Sequence, residues 1–183
     1  AEWPSVVTTA EIAASLRVRS SNVANHSIDL TQPLTYPDAD LPIDPYVMGA
    51  WLGDGTSRGS GFTCADEEVV DQIRRTETVT KTSRPYGWSI SDGPAGRRLG
   101  TFTARLRDDG VLMNKHVPDV YLTASVEQRI ELLRGLMDTD GTVAATKNSH
   151  VCEYTGTNRR LVEGVHELAL SLGINASIRE GVA

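Results

Sequence analysis

The sequence predicts an α+β domain built from two related halves, and three observations support this fold class. A Gly-containing apolar segment that ends in Asp-Gly-Thr occurs twice, at residues 47–56 and again at residues 133–142. Residues typical of a helix start precede each copy, and strand-like residues followed by a second amphipathic segment come after it. Repetition of this whole pattern indicates an internal duplication of helix, two short strands and helix, followed by further strand-like sequence.

Residues 1–43 are predicted to form a short helix and a Pro-rich connector. Thr8 and Glu11 have the spacing of a capping box, and apolar residues at helical spacing follow them. Four prolines between residues 31 and 45 favour extended backbone, because proline has no amide hydrogen and restricts the residue before it. An alternative interpretation of residues 8–28 is a DNA-binding helix-turn-helix, in which Ser20 and Ser21 begin the recognition helix.

The first half, residues 44–124, begins with a helix at residues 45–53. Asp44 is the predicted N-cap of this helix, and Pro45 suits its first position because the missing amide hydrogen is not needed there. Asp66 is the predicted N-cap of a second helix. The remaining sequence predicts strands at residues 76–82 and 98–103, a Gly/Pro/Ser-rich loop around residues 87–96, and a short helix at residues 103–109 that ends at Gly110.

The second half, residues 125–183, repeats these signals. Ser125 and Gln128 form a capping box, which predicts a helix through Met137 or Asp138. Asn158 is the predicted N-cap of the next helix, in the position equivalent to Asp66. Only residues 174–178 remain for the later strands, so the elements that complete this half either lie beyond the sequence or are absent.

Each copy of the repeated phrase ends its helix with a carboxylate, Asp54 or Asp140. A negative charge at a helix C-terminus is disfavoured by a few tenths to about 1 kcal/mol, so two such acids suggest that they bind something positive. Small residues one helical turn apart would let the two helices pack closely and bring the acids together. The small residues are Gly49 and Gly53 in the first helix and Gly135 and Thr139 in the second.

Two adjacent carboxylates repel each other unless a proton or a cation lies between them. Oxygen ligands of this kind, completed by water and phosphate oxygens, suit Mg²⁺, and paired acids of this kind are expected in metal-assisted phosphodiester hydrolysis. The alternative is that Asp-Gly only ends each helix, with Gly55 and Gly141 in the left-handed conformation.

The formal net charge of −6 does not indicate nucleic-acid binding, but the charges are unevenly distributed. Between residues 74 and 107 eight basic residues accompany only two acids, which is typical either of a solvated loop surface or of a phosphate-contacting surface. No apolar run approaches the roughly 20 residues that span a bilayer, so no membrane partner is expected.

The segments Gly49…Asp54-Gly55 and Gly135…Asp140-Gly141 resemble the two motifs of LAGLIDADG (dodecapeptide) homing endonucleases. Residues 115–141 are also similar to the endonuclease domains carried inside inteins, especially those of bacterial replicative helicases. The resemblance covers roughly residues 41–173. It implies the pseudo-two-fold αββαββα LAGLIDADG homing endonuclease fold, in which the motif helices form the central interface and two β-saddles straddle the DNA major groove.

The resemblance also implies roles for individual residues. Asp54 and Asp140 would be the catalytic acids and would bind Mg²⁺ or Mn²⁺ together with their neighbours Gly53 and Thr139. Lys115 would be the basic residue of the active site, although its sequence context equally suits a solvated lysine. The implied DNA contacts are Arg58, Lys81, Arg84, Arg97 and Arg98 in the first half and Lys147 and Arg179 in the second.

We therefore expect a site-specific, double-strand DNA endonuclease domain of an intein, monomeric and located in the bacterial cytoplasm. Its partners would be double-stranded DNA and, in cis, the intein splicing domain and the host protein. The alternative is a catalytically degenerate LAGLIDADG-type DNA-binding or intein-supporting structural domain, since the second saddle is incomplete in the sequence and no second-half lysine corresponds to Lys115. A splicing nucleophile at residue 1 and a terminal His-Asn pair are absent, so we expect an excised domain or a trimmed insert.

Overall fold

The computed structural model describes residues 6–91, 101–145 and 150–181. The chain divides into two compact units, Ala1–Thr31 and Gln32–Ala183. The second unit therefore begins within the Pro-rich connector, earlier in the chain than the predicted start of the first half at residue 44. Among the described residues, no helix is both long and apolar enough to cross a membrane.

The described residues of the first unit, 6–31, form the helix α1 (Thr9–Ala14) followed by a tight turn. The capping box is formed: Thr8 accepts the Glu11 amide hydrogen, and the Glu11 carboxylate accepts the Thr8 amide hydrogen at 2.7 Å. Arg17 and Ala24 then form an antiparallel bridge around Asn22, whose φ of 55° places it in the left-handed region. Residues 15–31 contain no second helix, so the helix-turn-helix interpretation is wrong.

Two helices, α2 (Pro45–Asp54) and α6 (Val126–Asp140), form the centre of the second unit. Asp44 caps α2 by accepting the Val47 amide hydrogen, with Pro45 in the first turn as predicted. Ser125 and Gln128 form the predicted capping box of α6, which continues to Asp140, beyond the predicted end. Residues 46–52 of α2 are all buried, because α6 and other elements of the unit cover the helix.

The first half is completed by three strands and two further helices, which are β1 (Gly61–Thr63), α3 (Glu67–Ile73), β2 (Thr78–Lys81), β3 (Gly87–Ser91) and α4 (Phe102–Asp108). The strands form an antiparallel sheet in the order β1-β3-β2. Phe62 pairs with Trp88, and Val79 pairs with Ile90, which gives the sheet one apolar face. The opposite face carries small and hydroxyl-bearing residues, among them Thr80 and Ser89.

Two predictions for this region were wrong. The predicted loop at residues 87–96 begins with β3, which is the central strand of the sheet, while residues 92–96 lie outside the described part. The predicted strand at residues 98–103 lies partly outside the described part, and its last residues begin α4 instead. Thr101 caps α4 by accepting the Ala104 amide hydrogen at 3.2 Å, and Phe102 and Leu106 are buried one turn apart.

The order of elements differs between the halves. Strands β4 (Gly141–Ala145) and β5 (His150–Tyr154) both lie between α6 and the next helix, α7 (Arg159–Ser171), whereas the first half has β1 alone between α2 and α3 in place of the two predicted strands. β4 and β5 form a two-stranded antiparallel sheet in which Gly141 pairs with Tyr154. Asn158 caps α7, as predicted, and the short helix α5 (Asp119–Leu122) precedes α6. Residues 172–181 contain no strand, so the strand considered at residues 174–178 is not formed.

The end of the connector is bound tightly to α5 and α6. The Gln128 side-chain amide accepts the Ala39 amide hydrogen at 2.9 Å and donates to the Ala39 carbonyl at 2.8 Å. The buried Tyr121 hydroxyl accepts from the Ile43 amide at 3.2 Å and donates to the Ile43 carbonyl at 2.8 Å. These paired backbone contacts explain why residues 32–43 belong to the second unit.

Arg129 is fully buried at the junction of the connector, α6 and α7. Its guanidinium donates to the carbonyls of Ala124 and Ser171 at 2.9 and 2.8 Å and also to the carbonyl of Leu34. The Ser171 carbonyl lies at the C-terminus of α7, where the helix dipole favours a positive charge. Carbonyl oxygens thus satisfy this buried charge and link three segments of the unit.

Candidate functional site

The two central helices meet backbone to backbone at a pair of glycines. A Cβ atom on Gly49 would collide with the Leu132 carbonyl and lie 2.9 Å from the Leu136 nitrogen. A Cβ atom on Gly135 would collide with the Tyr46 carbonyl and lie 2.7 Å from the Ala50 nitrogen. The two contacts are reciprocal, as a two-fold relation between the halves requires.

One turn further along, Gly53 packs against Thr139. A Cβ atom on Gly53 would collide with the Thr139 hydroxyl, which itself donates to the Gly135 and Leu136 carbonyls at 3.1 and 3.0 Å. Thr139 therefore fills the space left by the missing side chain. Gly49, Gly53, Gly135 and Thr139 are the four residues that the sequence analysis assigned to the helix interface.

Asp54 and Asp140 are the last residues of α2 and α6 and lie at the same end of the helix pair. An Asp140 carboxylate oxygen is 3.3 Å from the position that a Cβ atom on Gly53 would take. Burial raises the pKa of Asp54, the charge of Asp140 raises this pKa further, and Lys115 opposes both effects. Each carboxylate thus lies within the electrostatic field of the other.

Lys115 approaches this pair of acids from the segment after α4. Its ammonium group donates to the Gly53 carbonyl at 2.9 Å and lies 5.2 Å from the centroid of the Trp51 ring. Burial lowers the pKa of Lys115, while Asp140 and Asp54 raise it. The Asn158 side-chain amide donates a hydrogen bond to the Lys115 carbonyl at 2.8 Å. Lys115 is therefore half-buried and positioned by specific contacts, so the solvated-lysine alternative is wrong.

Tyr154 is a residue of the site that the sequence analysis missed. Its hydroxyl lies 3.5 Å from an Asp140 carboxylate oxygen. Burial raises the pKa of Tyr154, and the charges of Asp140 and Asp54 raise it further. The hydroxyl therefore stays protonated and can donate a hydrogen bond to the carboxylate. Tyr154-Thr155 matches Phe62-Thr63 in the first half, and this difference between the two copies was the signal available in the sequence.

The glycines that follow the two acids are extended, not left-handed. Gly55 has φ −69° and Gly141 has φ −92°, so the interpretation of Asp-Gly as a left-handed helix stop is wrong. A Cβ atom on either residue would collide with a carbonyl one turn earlier, that of Trp51 or of Met137. Close approach of the backbone to the helix end therefore requires glycine in both copies.

The donor atoms at the helix ends fit a hard divalent cation. Carboxylate and carbonyl oxygens are the ligands that Mg²⁺ and Mn²⁺ prefer. Within residues 6–91, 101–145 and 150–181, no group of three or more His, Cys, Asp or Glu side chains could hold a metal ion. A cation bound here would therefore have two protein carboxylates at most, and backbone carbonyl, water or phosphate oxygens would complete its coordination.

The predicted DNA contacts that the structure describes are on the surface. Arg58, Arg84 and Arg179 are exposed. Lys81 is also exposed, and its ammonium group lies 5.0 Å from the centroid of the Trp88 ring. The remaining predicted contacts, Arg97, Arg98 and Lys147, lie outside the described residues.

Two helices packed through reciprocal glycines, with paired acids at one end, are the defining arrangement of this unit. Residues 127–182 match the family model of the LAGLIDADG-like domain, which confirms the resemblance seen in the sequence and its α+β fold class. The chain is also similar to the replicative DNA helicase DnaB of Mycobacterium intracellulare, with 42% identity over 172 residues. The match covers 93% of this chain and 26% of that protein, so the chain spans about a quarter of the relative.

Proposed function

We propose that this chain is the site-specific, double-strand DNA homing endonuclease domain of an intein and hydrolyses phosphodiester bonds with the help of a divalent metal. The observation that carries the proposal is the meeting of Asp54, Asp140 and Lys115 at one end of the α2–α6 pair. Mg²⁺ or Mn²⁺ bound there would supply Lewis-acid chemistry and neutralise the charge that develops on the scissile phosphate.

Some residues of the site would bind the cation, and others would stabilise the charge of the transition state or orient the ligands. Asp54 and Asp140 would hold the cation through their carboxylates, aided by the backbone carbonyls of Gly53 and Thr139. Lys115 would place its positive charge near the scissile phosphate, where charge builds up in the transition state. Tyr154 would orient the Asp140 carboxylate by donating a hydrogen bond to it.

Basic residues would supply affinity for the DNA backbone, as phosphate contacts do in most DNA-binding proteins. The predicted set is Arg58, Lys81, Arg84, Arg97 and Arg98 in the first half and Lys147 and Arg179 in the second. Because each phosphate contact releases counterions, the affinity for DNA should fall steeply as the salt concentration rises. The net charge of −6 makes this local concentration of basic residues necessary for binding.

The similarity to a quarter of a replicative helicase supports an insert within a longer host protein. In this proposal the splicing domain of the intein and the host protein are partners in cis, and the domain acts as a monomer in the cytoplasm of a bacterium. The target DNA would be the host gene at the position where the insert is absent.

A second candidate function is a catalytically degenerate LAGLIDADG-type domain that binds DNA or supports the folding of its host intein. The asymmetry of the two halves favours it: the second half has a two-stranded sheet where the first has three strands. Tyr154, rather than a second lysine, accompanies Asp140. Binding of target DNA without cutting would identify the DNA-binding variant of this function, and neither binding nor cutting would identify the supporting role.

The deciding experiment is cleavage of a plasmid that carries the uninterrupted insertion site, in Mg²⁺ and in Mn²⁺. We expect the wild-type chain to cut both strands, and we expect Asp54→Asn and Asp140→Asn to abolish cutting while leaving DNA binding intact. Asp71→Asn, which removes an exposed acid remote in sequence from both motifs, is the matched control and should cut normally. Retained cutting by both motif variants would exclude the proposed mechanism.

A further inference from the structure

Lys115 lies in a connecting segment whose backbone is fixed by other parts of the fold. Residues 111–118, all within the described part of the chain, join α4 to α5 and form neither helix nor strand. Near the start of this segment the Met113 amide donates to the Ser57 carbonyl at 2.8 Å, and Met113 has a left-handed φ of 57°. Contacts with distant residues, rather than a regular element, therefore determine where the Lys115 side chain begins.

The second half of the chain contacts this segment through the N-terminus of α7. The Asn158 side-chain amide donates to the Lys115 carbonyl at 2.8 Å. Beside it, the Arg160 guanidinium donates to the Asn114 side-chain oxygen at 3.0 Å. Lys115 belongs to the first half, so these contacts connect the basic residue of the candidate site to the opposite half.

Asn158 uses both ends of its side-chain amide. Its oxygen accepts the Leu161 amide hydrogen at 3.3 Å and so caps α7, while its nitrogen donates to the Lys115 carbonyl. A carboxylate could form only the first of these bonds, because both of its oxygens are acceptors. In the equivalent position of the first half, Asp66 caps α3 by accepting the Glu68 amide hydrogen at 2.9 Å. Capping alone therefore does not require asparagine, whereas the bond to Lys115 does.

We propose that Asn158 is a positioning residue of the candidate site. It holds the Lys115 backbone against the N-terminus of α7, so that the ammonium group reaches the Gly53 carbonyl at the end of α2. The placement of Lys115 does not depend on any activity. The consequence for DNA cleavage rests on the proposed function, because a group misplaced by about 1 Å can cost about a hundredfold in rate.

Two substitutions at Asn158 and a matched control test this placement. Asn158→Asp keeps an N-cap residue but replaces the amide donor with a carboxylate oxygen, which repels the Lys115 carbonyl. Asn158→Ser is a shorter, uncharged N-cap and separates this effect from that of the added charge. Asp66→Asn makes the reverse exchange at the equivalent N-cap and is the control. All three chains should melt cooperatively like the wild type, because these residues all cap helices well.

The first measurement follows the Lys115 hydrogen bond by NMR and needs no DNA. The chemical shift of the Gly53 carbonyl carbon reports whether the ammonium group donates to it. Lys115→Met, which keeps an unbranched side chain, gives the shift for the lost bond. Asn158→Asp and Asn158→Ser should each move the Gly53 signal toward the Lys115→Met value, and Asp66→Asn should leave it at the wild-type value.

The second measurement is the rate of DNA cleavage at saturating DNA. Asn158→Ser should lower this rate at least about tenfold, because Lys115 is then misplaced. In a chain that already carries Lys115→Met, Asn158→Ser should have no further effect, since a residue that acts only through Lys115 cannot act without it. A purely structural role of Asn158 would instead lower the rate in both backgrounds.

The two measurements separate this proposal from the proposed function. Wild-type Gly53 shifts in both Asn158 variants would overturn the positioning role, whether or not the chain cuts DNA. Equal effects of Asn158→Ser with and without Lys115→Met would overturn it as well. A wild-type chain that does not cut would contradict the proposed function, and the Gly53 shifts alone would then decide whether Asn158 positions Lys115.

Discussion

Asp54 and Asp140 occupy equivalent positions in the repeat, yet their neighbours differ. The Lys115 ammonium group donates to the carbonyl of Gly53, the residue before Asp54, at 2.9 Å. Near Asp140, the Tyr154 hydroxyl lies 3.5 Å from a carboxylate oxygen. The repeated motif made both acids predictable from sequence. The difference between Tyr154 and Phe62 is visible in the sequence, but the contact of Tyr154 with Asp140 was not predictable, because it depends on how β5 returns past the end of α6.

The Tyr154→Phe substitution tests the importance of this hydroxyl. Phenylalanine is the residue found at the equivalent position of the first half, Phe62, so the ring and the fold should be kept. Loss of a hydrogen bond to a charged group costs about 1.5 kcal/mol, so the rate of DNA cleavage at saturating DNA should fall roughly tenfold. Tyr86→Phe, at an exposed tyrosine, is the control. A cleavage rate unchanged by Tyr154→Phe would show that the contact has no role in positioning Asp140.

Asp109, at the end of α4, gives the fold a measurable dependence on pH. Burial, and then the charge of Asp108, raise the pKa of Asp109 to about 6, while Arg105 opposes the shift. The folded state therefore holds this proton more tightly than the unfolded state, in which the pKa is about 4. Consequently the contribution of Asp109 to stability is greatest below about pH 4 and is lost as the pH rises to about 6.

The Asp109→Asn variant should accordingly be more stable than the wild type at pH 7, and the difference should shrink toward zero near pH 4. We expect the free energy of unfolding to be about 1 kcal/mol higher in the variant at pH 7. This is less than the free energy that corresponds to the full pKa shift, because water screens the partly exposed carboxyl. Chemical denaturation at both pH values measures the difference. Equal stability at pH 7, or a gain that persists at pH 4, would show that the group does not titrate as described.

At the scale of elements, contact between α2 and α6 holds the two halves together. Gly49 and Gly135 are the points of closest approach, because a Cβ atom on either would meet backbone atoms that cannot rotate away. The helices themselves were predictable, since the N-caps Asp44 and Ser125 and the apolar spacing are local signals. The glycine spacing also predicted their contact.

The Gly49→Ala substitution should separate the helices and lower the free energy of unfolding by several kcal/mol, since overpacking of this kind forces the backbone to shift. Gly59→Ala is a matched control, because the nearest heavy atom to its Cβ would be the Thr103 hydroxyl at 3.9 Å. The control should change stability by less than about 1 kcal/mol. Thermal and chemical unfolding of both variants provide the test, and equal stabilities would contradict the described helix contact.

The sheets were less predictable than the helices, for a physical reason. β3 contains Gly87, Ser89 and Ser91 among its five residues, a composition typical of loops. Its strand conformation comes from pairing with β2, which precedes it in a hairpin, and with β1, which lies on the other side of α3 in the sequence. Thr101 lies within a predicted strand, yet its hydroxyl caps α4. Pairing and capping compete at such positions, and only the fold decides between them.

At the scale of the whole second unit, the sheet described in the first half has three strands and the sheet described in the second half has two. One side of α6 is covered through hydrogen bonds to backbone groups of the connector and of α7. Their donors are Tyr121, Gln128 and the buried Arg129. An apolar groove lined by Ile130, Leu133 and Met137 lies along another side of α6. A domain of this form presents its paired acids at one end of the helix pair and an uncovered apolar surface on one side.

Binding of Mn²⁺ is the most direct test of the claim that both helices contribute to one cation site. Electron paramagnetic resonance titration should show that the wild-type chain binds Mn²⁺, and that Asp54→Asn and Asp140→Asn each weaken the affinity at least about tenfold, because each removes half of the protein's carboxylate ligands. Asp71→Asn should bind like the wild type. Wild-type affinity in either motif variant would contradict a shared site at the ends of α2 and α6.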